Sequence, residues 1–137
     1  MDDSEVKNTY EQIASHFSET RHHVWPPVQK YIDSFESSSL VADIGCGNGK
    51  NMYRKDCSFI GLDFCFNFTK ICNEKGLESI VADNLNLPLK DNLFDYTMSV
   101  AVIHQLDTEE KRLRSIKELI RITKPGGKIF ISVWALK

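Results

Sequence analysis

The 137-residue sequence has no apolar run near the roughly 20 residues that a membrane-spanning helix requires. Its start, with Asp2, Asp3 and Glu5, lacks the basic residues that begin a secretory signal. It also lacks an excess of either charge, since 17 Lys and Arg stand against 19 Asp and Glu. We therefore expect a single globular domain (residues 1–137) that resides in the cytoplasm, with the nucleus as the alternative.

The four cysteines lack the spacing of a metal site. Cys46, Cys57, Cys65 and Cys72 include no C-x-x-C pair, and no histidine stands at ligand spacing from them. We predict no metal site, and we expect reduced, buried thiols.

The first 36 residues carry helical rather than strand patterning. One apolar face recurs at helical spacing through Val6, Tyr10, Ile13, Ala14 and Phe17. Pro26 and Pro27 then suit only the first turn of a second helix, whose apolar face is Val28, Tyr31, Ile32 and Phe35. This pattern predicts a helical cap over residues 1–36, followed by a core over residues 40–137.

Short apolar runs alternate with helical stretches after residue 40, as expected for an α/β fold with a parallel sheet. The predicted strands are Leu40 to Ile44, Ser58 to Leu62, Ser79 to Ala82, Tyr96 to Val100 and Lys128 to Trp134. A helix before the third strand is indicated by Phe68, Ile71 and Cys72 and closed by Gly76. A second helix, before the fifth strand, has a predicted buried stripe of Leu113, Ile116, Leu119 and Ile120, a cap from Asp107 and Glu110, and an end at Pro125-Gly126-Gly127.

A glycine-rich loop, Gly45-Cys46-Gly47-Asn48-Gly49, follows the first predicted strand. Glycine lets the backbone approach a ligand closely at the carboxyl end of a strand, where open α/β sheets bind small molecules. The dinucleotide pattern would need glycine where this chain has Lys50. Asp43, two residues before the loop, instead suits a ligand with a cationic end, and S-adenosylmethionine fits that description.

Two further acids end predicted strands. Asp63 lies 18 residues after Gly45, close to the offset at which such folds bind ribose hydroxyls. Asp83 ends the third strand and could accept a hydrogen bond from an adenine amino group, with Phe64 and Leu85 as walls for the ring. A single aspartate at a strand end either binds a ligand or caps the following helix. Three at successive strand ends favour a nucleoside-bearing cofactor.

Several motifs together resemble one family. These are Arg21-His22 with Trp25-Pro26, the run from Val41 to Lys50, the run from Ser99 to His104, and Lys124-Pro125-Gly126-Gly127 leading to Val133-Trp134-Ala135. The chain resembles the class I S-adenosylmethionine-dependent methyltransferases, whose fold is Rossmann-like. More narrowly, it resembles the eukaryotic tRNA methyltransferases that esterify 5-carboxymethyluridine at the anticodon wobble position.

The resemblance implies a set of site residues. Arg21 would orient the substrate carboxylate, and His22 and His104 would shape the pocket, although a histidine after a strand is often only a satisfied polar group. Gln105 stands where relatives usually have a second histidine, so this chain lacks that imidazole. The candidate cofactor-binding residues are Asp43, Gly45, Cys46, Gly47, Asn48, Gly49, Asp63, Phe64, Asp83, Asn84, Leu85 and Ala101.

The resemblance also implies partners and a missing part. Relatives continue into two more strands, so we expect a sheet that lacks them, and the sequence leaves open whether this is a fragment or a compact form. Relatives work with a small zinc-binding activator protein, for which the natural docking place is the edge strand Ser79 to Ala82. The basic run from Lys111 to Lys128 either touches the tRNA backbone or is a solvated face. A small-molecule methyltransferase and a non-catalytic cofactor-binding paralogue remain as alternatives.

Overall fold

The structure, a computed structural model, describes residues 24–100, 102 and 106–132. The first predicted helix, around Val6 to Phe17, lies outside the described residues. The described elements are helix α1 (Pro26–Asp33), strand β1 (Leu40–Ile44), strand β2 (Ser58–Asp63), helix α2 (Phe66–Glu74), strand β3 (Ser79–Val81), strand β4 (Phe94–Val100), helix α3 (Glu109–Ile122) and strand β5 (Thr123–Ser132).

The five strands form one parallel sheet in the order β3-β2-β1-β4-β5. The chain builds outward from β1 to β3 and then crosses back to place β4 on the other side of β1. This reversal between β1 and β4 is the point at which open α/β sheets form a crevice at the carboxyl ends of their strands. The predicted α/β class is confirmed, and a strand lies at each of the five predicted places. Val133 and Trp134, the last residues of the fifth predicted strand, lie outside the described residues.

Strand β5 differs most from its predicted bounds. It begins at Thr123, because Thr123 pairs with Phe94 directly after helix α3 ends at Ile122. The register then shifts, and Lys128 pairs with Tyr96. The prediction that Pro125-Gly126-Gly127 ends the helix is therefore wrong, because these residues belong to an irregular part of the strand.

One face of the sheet packs against α1. Val28, Ile32 and Phe35 are buried there against Val41 and Met98 of the sheet. Tyr31 is half-buried in the same cluster, and its ring stacks on Phe130 with centroids 4.6 Å apart. The face predicted for this helix is confirmed, so the second part of the helical cap covers the central strands. On the same side of the sheet, α2 ends as predicted, with Gly76 at φ 80° directly after its C-cap.

The opposite face packs against α3, but not through the whole predicted stripe. Ser115, Leu119 and Ile122 are buried, whereas Leu113 is 51% exposed and Ile120 is 58% exposed. At 3.6 residues per turn, Leu113 and Ile120 lie on the side of the helix opposite to Leu119 and Ile122. The small Ser115 lets α3 approach the sheet on the side that carries Leu119 and Ile122. The prediction that Leu113 and Ile120 are buried is therefore wrong.

The cap of α3 also differs from the predicted one. Thr108 is the N-cap, and its hydroxyl accepts a hydrogen bond from the Lys111 backbone N–H at 3.1 Å. Asp107 instead forms an ion pair with the Lys111 ammonium at 3.1 Å. No helix in the described part of the chain is long and apolar enough to cross a membrane.

Candidate functional site

The glycine loop leaves β1 in a conformation that few residues other than glycine adopt. Gly45, Gly47 and Gly49 have φ values of 76°, 54° and 82°. The Gly45 and Cys46 backbone N–H groups both donate to the Leu62 carbonyl, at 2.6 and 3.0 Å. These bonds hold the loop against the end of β2.

Gly45 and Gly47 lack a side chain for different reasons. A Cβ at Gly45 would overlap Cγ2 of Val102, so this glycine is required by packing. A Cβ at Gly47 would meet nothing within 4 Å. Open space beside the backbone at Gly47 is what a loop that admits a ligand closely should offer.

Asp43 is the most unusual polar group of the described structure. The residue is 1% exposed, and neither of its carboxylate oxygens has a hydrogen-bond partner in the described part of the chain. Burial, then the nearby Asp63 carboxylate, raises the pKa of Asp43 to about 7, while Lys50 opposes the shift. A buried anion without a partner is costly. The cationic end of a ligand such as S-adenosylmethionine would supply the missing partner.

Asp63, at the end of β2, accepts hydrogen bonds from two different segments of the backbone. One of its oxygens accepts from the Gly47 N–H at 3.0 Å, and the other accepts from the Cys65 N–H at 2.9 Å. It thereby ties the glycine loop to the start of α2, where Cys65 is the N-cap. A carboxylate can accept about four hydrogen bonds, so ribose hydroxyls could still bind it.

Asp83 begins a turn rather than a helix. Its side chain accepts from the Leu85 N–H at 2.9 Å, and its carbonyl accepts from the Asn86 N–H at 3.1 Å. Asp83 is exposed, Asn84 is buried and Leu85 is half-buried. Phe64 is also half-buried, directly after Asp63. The strand ends thus bring Asp43, Asp63 and Asp83 to the same edge of the sheet.

The side chains of Cys46 and Asn48 stabilise the glycine loop through packing and hydrogen bonds. A Cβ at Gly61 would lie 2.8 Å from the Cys46 sulfur, so Cys46 packs across β2 where glycine leaves room. A hydrogen bond with Cys72, followed by burial, raises the pKa of the Cys46 thiol well above its usual value. The Asn48 side chain accepts from the Lys50 N–H at 3.1 Å, and its carbonyl accepts from the Lys75 ammonium at 3.1 Å. Both residues shape the backbone that faces a ligand.

The cysteines carry no metal cluster in the described structure. Cys46, Cys65 and Cys72 are buried and Cys57 is half-buried, all four with free thiols. The predicted burial is thus confirmed for three of them. Within residues 24–100, 102 and 106–132, no group of three His, Cys, Asp or Glu could hold a metal ion.

The predicted catalytic residues cannot be placed. Arg21, His22 and His104 lie outside the described residues, as do Ala101 and Gln105. Their roles therefore stay predictions from the resemblance.

Two further residues of the site have no counterpart in the sequence-based set. Ser99, near the end of β4, is 1% exposed, and its hydroxyl has no partner in the described part of the chain. It pairs in register with Ile44, next to the glycine loop. Lys50 acts electrostatically on Asp43. A polar residue late in an apolar strand is the signal that could have identified Ser99.

The basic run between Lys111 and Lys128 is largely engaged within the chain. Arg112 donates to the Leu106 carbonyl, Arg114 donates to the Leu85 carbonyl, and Arg121 contacts several groups of the loop after β3. Lys111 pairs with Asp107, and Lys124 pairs with Asp95. Much of the positive charge therefore holds this chain together instead of lying free for tRNA.

Comparisons of the sequence with known proteins indicate a methyltransferase family. Residues 42–131 match a family model described as a methyltransferase domain. The chain is 46% identical over 131 residues to the tRNA (carboxymethyluridine(34)-5-O)-methyltransferase of Arabidopsis thaliana, covering 95% of this chain and 32% of that protein. It is 41% identical over 135 residues to the protein of the same name from Schizosaccharomyces pombe, covering 96% of this chain and 58% of that protein. The chain thus spans only part of these relatives.

Solved structures share the fold at low sequence identity. A methyltransferase of Haloferax volcanii, solved in complex with the Trm112 methyltransferase activator, has a TM-score of 0.81 at 21% identity, covering 93% of this chain and 60% of that one. An S-adenosyl-L-methionine-dependent methyltransferase of Methanococcus maripaludis has a TM-score of 0.70 at 23% identity, covering 88% and 62%. Both are similar to this chain in architecture.

Proposed function

The chain belongs to the class I S-adenosylmethionine-dependent methyltransferases, and from this premise we propose that it methylates the carboxylate of 5-carboxymethyluridine at the wobble position of tRNA. The product would be the methyl ester, 5-methoxycarbonylmethyluridine. The buried, unpartnered Asp43 carboxylate beside the glycine loop is the observation that supports the methyl donor. The names of relatives that are 46% and 41% identical support the acceptor.

The described residues fit the donor. When bound, S-adenosylmethionine supplies an electrophilic methyl group on a sulfonium. Asp43 would pair with the positive end of this molecule, while the open backbone at Gly47 admits it closely. Asp63 would hold the ribose and the turn from Asp83 to Leu85 would contact the nucleobase. Asp63 also holds the glycine loop through the Gly47 N–H. One carboxylate would therefore position both the ribose and the loop that contacts the amino-acid end of the cofactor.

The acceptor needs little activation. A carboxylate has a pKa near 4 and is ionised at neutral pH, so no general base is required. Catalysis then depends on alignment of the carboxylate oxygen with the methyl group and on exclusion of water. We assign this alignment to Arg21, whose fork of donors matches a carboxylate, and the shaping of the pocket to His22 and His104.

We also propose a partner, a small zinc-binding methyltransferase activator, at the outer edge of β3. In the described sheet β3 pairs on one side with β2, and its apolar residues Ile80 and Val81 are 39% and 45% exposed. An exposed apolar edge strand favours addition of a strand from another chain. The similarity in fold to a methyltransferase solved with the Trm112 methyltransferase activator supports a partner of this kind.

The function is tested by incubating the chain with an activator, S-adenosylmethionine and tRNA that carries 5-carboxymethyluridine, followed by mass spectrometry of the nucleosides. We expect the methyl ester with the native chain and none with an Asp43→Ala variant. Cofactor binding without the ester would favour a non-catalytic paralogue. Methyl transfer to metabolites but not to tRNA would favour a small-molecule enzyme. Either result would overturn the proposed acceptor.

A further inference from the structure

The connection from β3 to β4 is built without a helix. Consecutive parallel strands in such sheets are usually joined by a crossover helix, which satisfies its own backbone hydrogen bonds. Here residues 83–93, called the strap below, contain none. The polar backbone groups of the strap therefore need partners elsewhere in the protein.

Helix α3 supplies these partners from one row of side chains. Arg114, Glu118 and Arg121 follow each other at intervals of four and three residues, so they lie on one side of the helix. Arg114 Nε donates to the Leu85 carbonyl at 2.9 Å, and Glu118 accepts from the Leu87 N–H at 2.7 Å. The guanidinium of Arg121 donates to the carbonyls of Leu87 and Leu89, at 2.9 and 2.7 Å, and to the Asp91 carboxylate at 2.8 Å.

The two ends of the strap are held to different degrees. Toward β4, the Asn92 and Leu93 N–H groups donate to the carbonyls of Arg121 and Ile122, both at 2.8 Å. In the middle, Leu87 is buried in the core beneath the sheet. At the start, the turn of residues 83–86 is closed by its own hydrogen bonds, and its contact from α3 is the bond of Arg114 to Leu85. This turn contains the candidate nucleobase contacts Asp83, Asn84 and Leu85.

We propose that Arg114 is a positioning residue for the nucleobase end of the cofactor site. It acts through the Leu85 carbonyl, because fixing this group fixes the turn that presents Asp83 to the adenine. The inference rests on the proposed function in one respect, namely that the site binds an adenine-bearing cofactor. It assigns to a cation of the basic run a role in the cofactor site rather than on tRNA.

The test compares Arg114→Gln with Lys117→Gln in the full chain. Lys117 lies on the same helix and is exposed, and its side chain makes no hydrogen bond or ion pair in the described structure, so its variant removes the same charge without the contact. Calorimetry measures the binding of S-adenosylhomocysteine and of S-inosylhomocysteine, which lacks the adenine amino group. We expect Arg114→Gln to weaken S-adenosylhomocysteine about fivefold, the usual size for one hydrogen bond. The ratio of the affinities for S-adenosylhomocysteine and S-inosylhomocysteine should fall in the same variant.

Each outcome has a distinct meaning. Equal weakening of both ligands, or weakening by Lys117→Gln to the same degree, would overturn the positioning role, because a general structural effect does not select the nucleobase. Unchanged binding in Arg114→Gln would overturn it as well. Absence of S-adenosylhomocysteine binding by the native chain would instead contradict the proposed function. The two ideas can therefore fail separately.

Discussion

The glycine loop and the strap are both irregular segments, but the charged groups beside them differ in how far they are paired within the chain. Beside the glycine loop, the Asp43 carboxylate is buried with no hydrogen-bond partner in the described structure, and the backbone takes positive φ at three glycines. At the strap, the guanidinium of Arg121 on α3 contacts two strap carbonyls, the Asp91 carboxylate of the strap and the Glu118 carboxylate of α3. The first region leaves one buried carboxylate without a hydrogen bond, and the second pairs its charged groups within the chain.

This difference distinguishes a region that binds a ligand from a region that stabilises the fold. An unpaired buried charge lowers stability until a ligand of opposite charge arrives, so stability is lost in return for affinity. A guanidinium that joins a helix to a loop stabilises the fold whether or not a ligand is present. Substitutions in the two regions should therefore change affinity and stability in different proportions, and four measurements test this contrast.

The largest effect is expected for Asp43→Asn at pH 8. The pKa of Asp43 rises from 3.8 to about 7 in the folded state, so the ionised carboxylate destabilises the unliganded fold. The folded state therefore loses stability as pH rises from about 4 to 7, and the substitution should raise the free energy of unfolding at pH 8 by up to about 4 kcal/mol. Binding of S-adenosylhomocysteine should weaken about a hundredfold. Urea denaturation and calorimetry measure the two effects, and a loss of stability would show that the carboxylate is already paired.

Gly45→Ala and Gly47→Ala should distinguish the effect of packing on stability from the effect of an open backbone on cofactor binding. Both impose a left-handed residue, at about 1 kcal/mol each. At Gly45 the new methyl also meets Val102, which brings the expected loss of stability to about 3 kcal/mol. At Gly47 the methyl enters open space, so the fold should lose about 1 kcal/mol while cofactor binding weakens about tenfold or more. Equal destabilisation by the two variants in urea would mean that the contact with Val102 does not decide stability.

Arg121→Gln should chiefly lower stability. It removes the guanidinium that contacts two strap carbonyls and Glu118, and Glu118 keeps its bond from the Leu87 N–H, so we expect a loss of about 2 kcal/mol in the free energy of unfolding. Lys124→Gln is the matched control, because it breaks the exposed pair with Asp95, which should contribute less than about 0.5 kcal/mol. Similar losses for both variants in urea denaturation would remove the distinction between the strap contacts and an ordinary surface pair.

The smallest effect is the pH dependence of cofactor affinity. With a pKa of about 7, Asp43 is largely protonated at pH 6 and must ionise to meet a cation. Binding should therefore release protons at pH 6, and the dissociation constant should be about tenfold higher there than at pH 8. Calorimetry in two buffers of different ionisation enthalpy counts the protons released. A count near zero at pH 6 would contradict the shifted titration of Asp43.

Much of the fold could be predicted from local patterning. Alternating apolar runs and turn residues located all five strands, and the glycine loop with its neighbouring acids located the carboxyl edge of the sheet. The orientation of α3 could not be predicted in this way, because Leu113 and Ile120 satisfy helical spacing as well as Leu119 and Ile122 do. The packing of Ser115 against the sheet, and the row of charged side chains that faces the strap, selected between the two stripes.

The same division holds for the site. The amino-acid sequence by itself determined the type of ligand, because three glycines after a buried strand and acids at the following strand ends allow few other chemistries. Only the tertiary structure decided which groups are free to bind it. Asp63 is shared with the backbone of the loop, Asp43 has no partner in the described structure, and Arg114 reaches the turn after β3. Such assignments depend on contacts between residues distant in the chain, and local patterning carries no record of them.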